Sequence, residues 1–165
     1  MVPESDLETA MESLGRKGFA YAVRMLGNAD DAADTVQESL GILWSKRRSL
    51  QNEPTAWFFR VLRNRCIDTQ RKRRLRRHAS IEPDGGVAPR DNRPDRIAER
   101  DEFRNRLARE LDNLDPSHRE ILLLRKEQNL TYAQIAQVLA ISQGTVMSRL
   151  HRARMNLRDR LKDVM

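Results

Sequence analysis

The sequence predicts an all-α chain of two small helical domains joined by a flexible linker, and three observations carry that prediction. Apolar residues recur at three- and four-residue intervals along the chain, while no stretch alternates as a strand would. Helix-start chemistry, an Asp, Thr or Ser ahead of a periodic run, recurs at close spacing between Asp115 and Ser142. Between Ala79 and Pro94 the periodicity stops, and Pro83, Gly85, Gly86, Pro89 and Pro94 stand in a run with almost no apolar content, which is linker composition. The expected boundaries are 1–78 for the first domain, 79–94 for the linker and 95–165 for the second domain.

In the first domain, Leu7, Met11, Leu14, Phe19, Ala22, Val23 and Leu26 recur near helical spacing, and Gly15 and Gly18 predict a weakened or interrupted middle. Gly27-Asn28 ends that helix. The next spans Ala29 to Lys46, with Ala33, Val36, Leu40, Leu43 and Trp44 expected inward and Asp30, Asp31, Asp34, Gln37 and Glu38 outward or along one edge. Asp30 and Asp31 suit a helix N-terminus by opposing its partial positive charge; Gln37 and Glu38 lie beyond the first turn, where that field is not felt. A polar connector, Lys46 to Glu53, leads to Pro54 and a long helix whose apolar face is Trp57, Phe58, Val61, Leu62 and Ile67. Its distal part is intensely basic, with Arg60, Arg63, Arg65, Arg71, Lys72, Arg73, Arg74, Arg76 and Arg77. Such a run is either a solvated surface or, with rings just before it, a track for a nucleic-acid strand: rings for bases, arginines for phosphates.

The second domain opens with a supporting helix from Asp95 to Leu111 through Ile97, Phe103 and Leu107. Asp115-Pro116 then joins an N-cap side chain to a proline at the first helical position, and Ile121 to Leu124 supply the apolar run. Thr131 and Gln134 have capping-box spacing ahead of Ile135, Ala136 and Leu139, and Ser142 opens the next helix. Only Ala140 and Ile141 intervene, so the chain must turn sharply, and Ala136 and Ala140 are expected to leave room for the crossing. Ile135, Leu139, Ile141, Val146 and Leu150 should form the small core. The helix from Gln143 then carries Ser148, Arg149, His151, Arg152 and Arg154 on exposed positions, side chains that reach base edges and phosphates. Taken together this is a helix-turn-helix that reads DNA.

Composition agrees. The chain has 31 Lys plus Arg against 24 Asp plus Glu, a net charge of +7, which favours a polyanionic partner. The signs are segregated, acids near residues 30–38 and bases near 60–77 and 149–160, so different surfaces should meet different partners. A single Cys66 excludes an intramolecular disulfide, and His78, His118 and His151 are too scattered for a zinc site, so no metal and no cofactor is expected. No apolar run approaches the roughly 20 residues of a bilayer span, and Glu4, Asp6 and Glu8 are unlike a signal peptide; a cytoplasmic protein with no stable membrane insertion of its own is expected. Gly85-Gly86 lacks the lysine and helix of a phosphate cradle, and no nucleophile, base and orienting group assemble, so the chain is not expected to be an enzyme.

Three stretches together resemble a known family. Asp31-Ala32-Ala33-Asp34-Thr35-Val36-Gln37-Glu38, the run Pro54 to Asp68, and Gly144 to Arg154 are similar, in that order, to motifs of the bacterial sigma factors of the extracytoplasmic-function type, the small sigma-70 family members that keep regions two and four. The resemblance covers about Leu7 to Leu161. It implies a transcription initiation factor that binds core RNA polymerase and promoter DNA, directs the enzyme to specific promoters and promotes strand opening, and that an anti-sigma factor holds in check. Polymerase would be bound by Asp31, Asp34, Gln37 and Glu38. The minus-ten strand would be gripped by Ser49, Asn52, Trp57, Arg60, Asn64, Arg71 and Arg74, and the minus-thirty-five duplex by Gln143, Thr145, Met147, Ser148, Arg149, His151, Arg152 and Arg154. Met147 departs from the pattern, since the family usually has Lys or Arg there. From the residues alone, a helix-turn-helix regulator that works without polymerase remains the alternative. Against it stand the acidic face, the second basic segment and the lack of an obvious dimerisation helix.

Overall fold

The structure, a computed structural model, describes residues 4–50, 53–79 and 98–162. The helices are α1 (Glu4–Leu26), α2 (Ala29–Lys46), α3 (Pro54–Ala79), α4 (Ala98–Asp112), α5 (Pro116–Leu122), α6 (Tyr132–Leu139) and α7 (Gln143–Leu161), with a π-helical turn at Leu123–Glu127. No strand occurs among the described residues. The chain falls into two compact units, one built on α1–α3 and the other carrying the helix-turn-helix. The expected linker positions 80–94, and Asp95 and Ile97 ahead of α4, lie outside the described residues.

In the first unit, α1 is one unbroken helix across both glycines, because Gly18 is there to bring α3 close. A Cβ on Gly18 would stand 2.8 Å from the buried Phe58 ring and 3.1 Å from Leu62. Close approach seals an aromatic core. Tyr21 meets Phe59 edge-on with centroids 5.8 Å apart, Phe59 meets Phe58 at 5.4 Å, and all three are fully buried. Gly27, at φ +66°, turns the chain out of α1 in the left-handed region that glycine occupies without penalty. The last carbonyls of α1 would otherwise be orphans; Gln70 Nε2 donates to Met25 O at 2.7 Å and Arg73 Nη1 to Leu26 O at 2.6 Å.

Two inward expectations are corrected here. Phe19 is 40% exposed, since one helical face cannot bury both Phe19 and Tyr21, and the face that meets α3 takes Tyr21. Ala33 is exposed, whereas Ala32, Thr35, Val36, Ser39 and Leu43 form the buried face of α2. Two hydroxyls enter that face with their hydrogen bonds satisfied: Thr35 Oγ1 donates to Asp31 O at 2.6 Å and Ser39 Oγ to Thr35 O at 2.7 Å. Of the apolar face expected on α3, Phe58 and Leu62 are buried, Trp57, Val61 and Ile67 half-buried, and Ala56, Phe59 and Cys66 complete it.

In the second unit the caps stand where the sequence puts them. Asp115 accepts from the backbone N–H and hydroxyl of Ser117, at 2.9 and 2.5 Å, and these bonds hold its carboxyl below the usual carboxylate range. Thr131 and Gln134 form a reciprocal capping box, and Ser142 Oγ accepts from Thr145 N at 3.1 Å. α5 and α4 both pack on α7, and Glu110 of α4 bridges Arg106 and Arg160 of α7. Ile121, Leu124, Ile135, Val138, Val146, Leu150 and Ala153 are buried, Ile141 half-buried and Phe103 exposed.

Ala140 does not have the role expected of it. Ala140 is exposed and sits at φ 53°, ψ 46°, ending α6 in a left-handed cap in which Ile141 N–H donates back to Ala136 O at 3.1 Å. Ala140 is therefore not crowded at the crossing, and its left-handed backbone carries the Cβ penalty that glycine would avoid.

Candidate nucleic-acid and polymerase interfaces

Three surfaces carry the candidate residues. On α2, successive residues advance about 100°, so Asp30, Asp34, Gln37 and Gly41 fall on one stripe opposite the buried Ala32, Val36, Ser39 and Leu43. All four stripe residues are exposed, and a Cβ on Gly41 would meet nothing within 4 Å. Asp31 and Glu38 lie toward its edge and reach α3: Glu38 Oε2 stands 2.5 Å from Arg65 Nη1, and Asp31 pairs with Arg73. The residues expected to face polymerase thus divide, Asp34 and Gln37 wholly outward and the acids Asp31 and Glu38 shared with the basic helix. Trp44 is half-buried with the Arg47 guanidinium 4.1 Å above its ring.

On α3, Trp57, Arg60, Asn64 and Arg71 follow at intervals of three, four and seven residues, which sets them in one line away from Phe58, Phe59, Leu62 and Cys66. Arg60, Asn64 and Arg71 are exposed, Trp57 half-buried. The Asn64 side chain makes no hydrogen bond to another described residue. Arg71 lies 4.0 Å from Asp68, and Arg74 is exposed beside the line. Ser49 lies in the turn after α2, where its hydroxyl donates to Lys46 O at 2.8 Å. Asn52 lies outside the described residues. The basic run is therefore not uniform: Arg65 and Arg73 tie α3 to its neighbours, whereas Arg60, Arg71 and Arg74 face solvent.

On α7, Gln143, Met147, His151 and Arg154 form one stripe, all exposed; Thr145, Ser148 and Arg152, exposed, and the half-buried Arg149 form a second stripe, well around the helix from the first. The Thr145 and Ser148 hydroxyls are already engaged, the first 2.9 Å from Ser142 Oγ and the second donating to Thr145 O at 3.1 Å. The remaining candidates on this helix are an amide, an imidazole, arginines and one thioether. No cluster of side chains that could hold a metal occurs among the described residues, and no described helix is long and apolar enough to cross a membrane.

A three-helix unit with separate acidic and basic faces, and a capped helix-turn-helix with an exposed basic helix, define a DNA-binding protein with two distinct modules. The modules match two family descriptions, Sigma-70 region 2 over residues 10–76 and Sigma-70, region 4 over residues 111–159. Among curated relatives, the ECF RNA polymerase sigma factor SigL of Mycobacterium tuberculosis is 35% identical over 88% of this chain and 83% of its own. SigE of Mycolicibacterium smegmatis is 34% identical over 87% of this chain, which spans only 56% of that relative's length. Among solved structures, the fold is similar to that of the sigma factor RpoE of Bartonella quintana, seen in complex with the anti-sigma factor NepR. The TM-score is 0.71 at 24% identity, over 95% of this chain and 97% of that one. The chain belongs to the extracytoplasmic-function sigma factors of the sigma-70 family.

Proposed function

We propose that this chain is an alternative sigma factor that brings core RNA polymerase to specific promoters and promotes strand opening, while RNA synthesis belongs to the polymerase. The observation that carries the reading is the first unit, in which one small core holds an outward acid and amide stripe on α2 and a line of ring, arginine and amide on α3. A regulator acting without polymerase has no use for the pair. Asp34 and Gln37 dock on polymerase, with Asp31 and Glu38 at the rim. Trp57, Arg60, Asn64, Arg71 and Arg74, with the connector holding Ser49 and Asn52, grip the unstacked minus-ten strand. The exposed residues of α7 enter the major groove upstream.

The proposed organisation is a region 2 domain over 1–78, a linker over 79–94 and a region 4 domain over 95–165; both family matches fall inside those domain limits. The proposed work is cytoplasmic and needs no catalytic group of its own. An anti-sigma protein is a further proposed partner, by likeness to the RpoE–NepR complex.

Run-off transcription with purified core polymerase tests the reading. The parent chain should start RNA from a promoter that core alone ignores. Asp34→Arg should lower affinity for core at least tenfold with an unchanged melting temperature; transcription by the parent no better than core alone would refute the proposal.

A further inference from the structure

Along the exposed stripe of α7, Gln143, His151 and Arg154 are polar or cationic, and Met147 is not. Its side chain is 56% exposed in the second turn of the helix, the part of a reader helix that comes nearest to base edges. The neighbouring positions leave it uncovered. Gly144 contributes no side chain, and a Cβ there would meet only Ser142 Oγ, at 3.8 Å. Ser148 turns its short hydroxyl to the backbone, donating to Thr145 O. A lone exposed methionine on an ordinary surface would need no explanation, but this one shares a line with Gln143, His151 and Arg154 on the helix proposed to read the duplex. It can neither neutralise a phosphate nor donate to a base.

The major-groove edges of the four base pairs present donors, acceptors and one apolar feature, the C5-methyl group of thymine. A flexible, polarisable thioether fits that methyl group and gains nothing from the other edges. We infer that Met147 is a base-specificity residue of α7, which selects thymine at one position of the upstream element by packing on its C5-methyl group. The inference rests on the reading of α7 as the duplex-reading helix and adds what it reads. Two consequences are specific to it: discrimination at that position depends on the methyl group, and it does not vary with salt, because no charge is involved.

The full chain with core polymerase is used to select from two duplex libraries randomised upstream of a fixed minus-ten region, one synthesised with thymine and one with uracil throughout. The parent should recover an upstream element from both. One position should be fixed as thymine in the first library and become degenerate in the second, while the other positions keep their preferences. On the selected element, a single dT→dU change there should weaken binding about fourfold, the worth of one buried methyl group. Met147→Ala should bind the dT and dU duplexes equally, and Met147→Lys should shift the choice toward guanine, whose O6 and N7 accept from lysine.

The same preference in both libraries, or discrimination surviving in Met147→Ala, overturns the inference while leaving α7 as the reader. Failure to recover any upstream element from either library overturns the reading of α7 and the inference with it. Weakened affinity for core polymerase in Met147→Ala, with dT and dU still discriminated, makes the residue a protein-binding group and also overturns it.

Discussion

At the residue scale, the division of α3 into tied and outward side chains gives each class its own signature. Arginines neutralise phosphates at any sequence, whereas an amide beside an unstacked base acts only where that base is read. Combining Arg71→Ala with Arg74→Ala should weaken DNA binding across all promoters and flatten its salt dependence. Asn64→Ala should leave duplex binding nearly unchanged, reduce strand opening in permanganate footprints and alter the preferred minus-ten base. If Asn64→Ala opens every promoter as well as the parent, base capture belongs instead to the connector after α2. Asp115 gives a second residue-level expectation. Its folded pKa lies below that of the unfolded chain, through the Ser117 bonds, so the stability it lends α5 is present above the unfolded carboxylate pKa and is lost as pH falls through the folded value. The melting-temperature gap between parent and Asp115→Ala should be widest near neutrality and narrow through the acid range; a gap independent of pH would show that the carboxylate charge is irrelevant to the cap.

At the scale of elements, two glycines in neighbouring helices should respond to the same substitution with opposite signs. Gly18→Ala gains up to about 1 kcal/mol of helix propensity but forces a methyl against the buried Phe58 ring, an overpacking cost of about 1–3 kcal/mol. The net change should be a loss. Gly41 is exposed, on a helix, with open space at its Cβ, so Gly41→Ala should stabilise by about 0.4–1 kcal/mol. Paired thermal melts read both signs, and stabilisation by Gly18→Ala would mean that α1 and α3 do not need the close approach. The two glycines of α1 were visible in sequence and what they approach was not, because it depends on which residues of α2 and α3 stand opposite, Leu40 for Gly15 and Phe58 for Gly18. The Glu38–Arg65 pair was hidden for the same reason, 27 residues separating its partners. Both side chains are substantially exposed, so the pair contributes at most about 1 kcal/mol; its consequence is to orient Glu38 toward the edge of the α2 stripe.

For the whole molecule, a net charge of +7 describes the surface poorly, since the outward acids Asp30 and Asp34 lie on α2 and the outward arginines on α3 and α7. DNA affinity should track the outward arginines rather than the net charge. Replacing Arg152 and Arg154 together with alanine should lower the slope of log affinity against log salt by about 1.8, at about 0.9 for each phosphate left without its arginine. Replacing Asp34 with asparagine raises the net charge by one and should leave that slope unchanged. Equal slopes for the parent and the double-arginine variant would place the phosphate-binding groups elsewhere on the chain.

The amino-acid sequence by itself determined the elements, their caps and the family, because these depend on interactions within one turn of helix or on short motifs in fixed order. Asp115, Thr131 and Ser142 each cap a helix whose first residues lie beside them in the chain. Only the tertiary structure decided which of two nearby side chains faces inward: Tyr21 rather than Phe19, Ala32 rather than Ala33, with Thr35 and Ser39 admitted to the core by bonds to their own helix. It also decided which charges are engaged between helices and which face solvent, separating Arg65 and Arg73 from Arg60, Arg71 and Arg74, and Glu38 from Asp34. The physical reason is the same throughout. A helical period is satisfied almost equally well by faces rotated by one residue, so the choice rests with the helix packed against it, and that neighbour comes from a distant part of the chain.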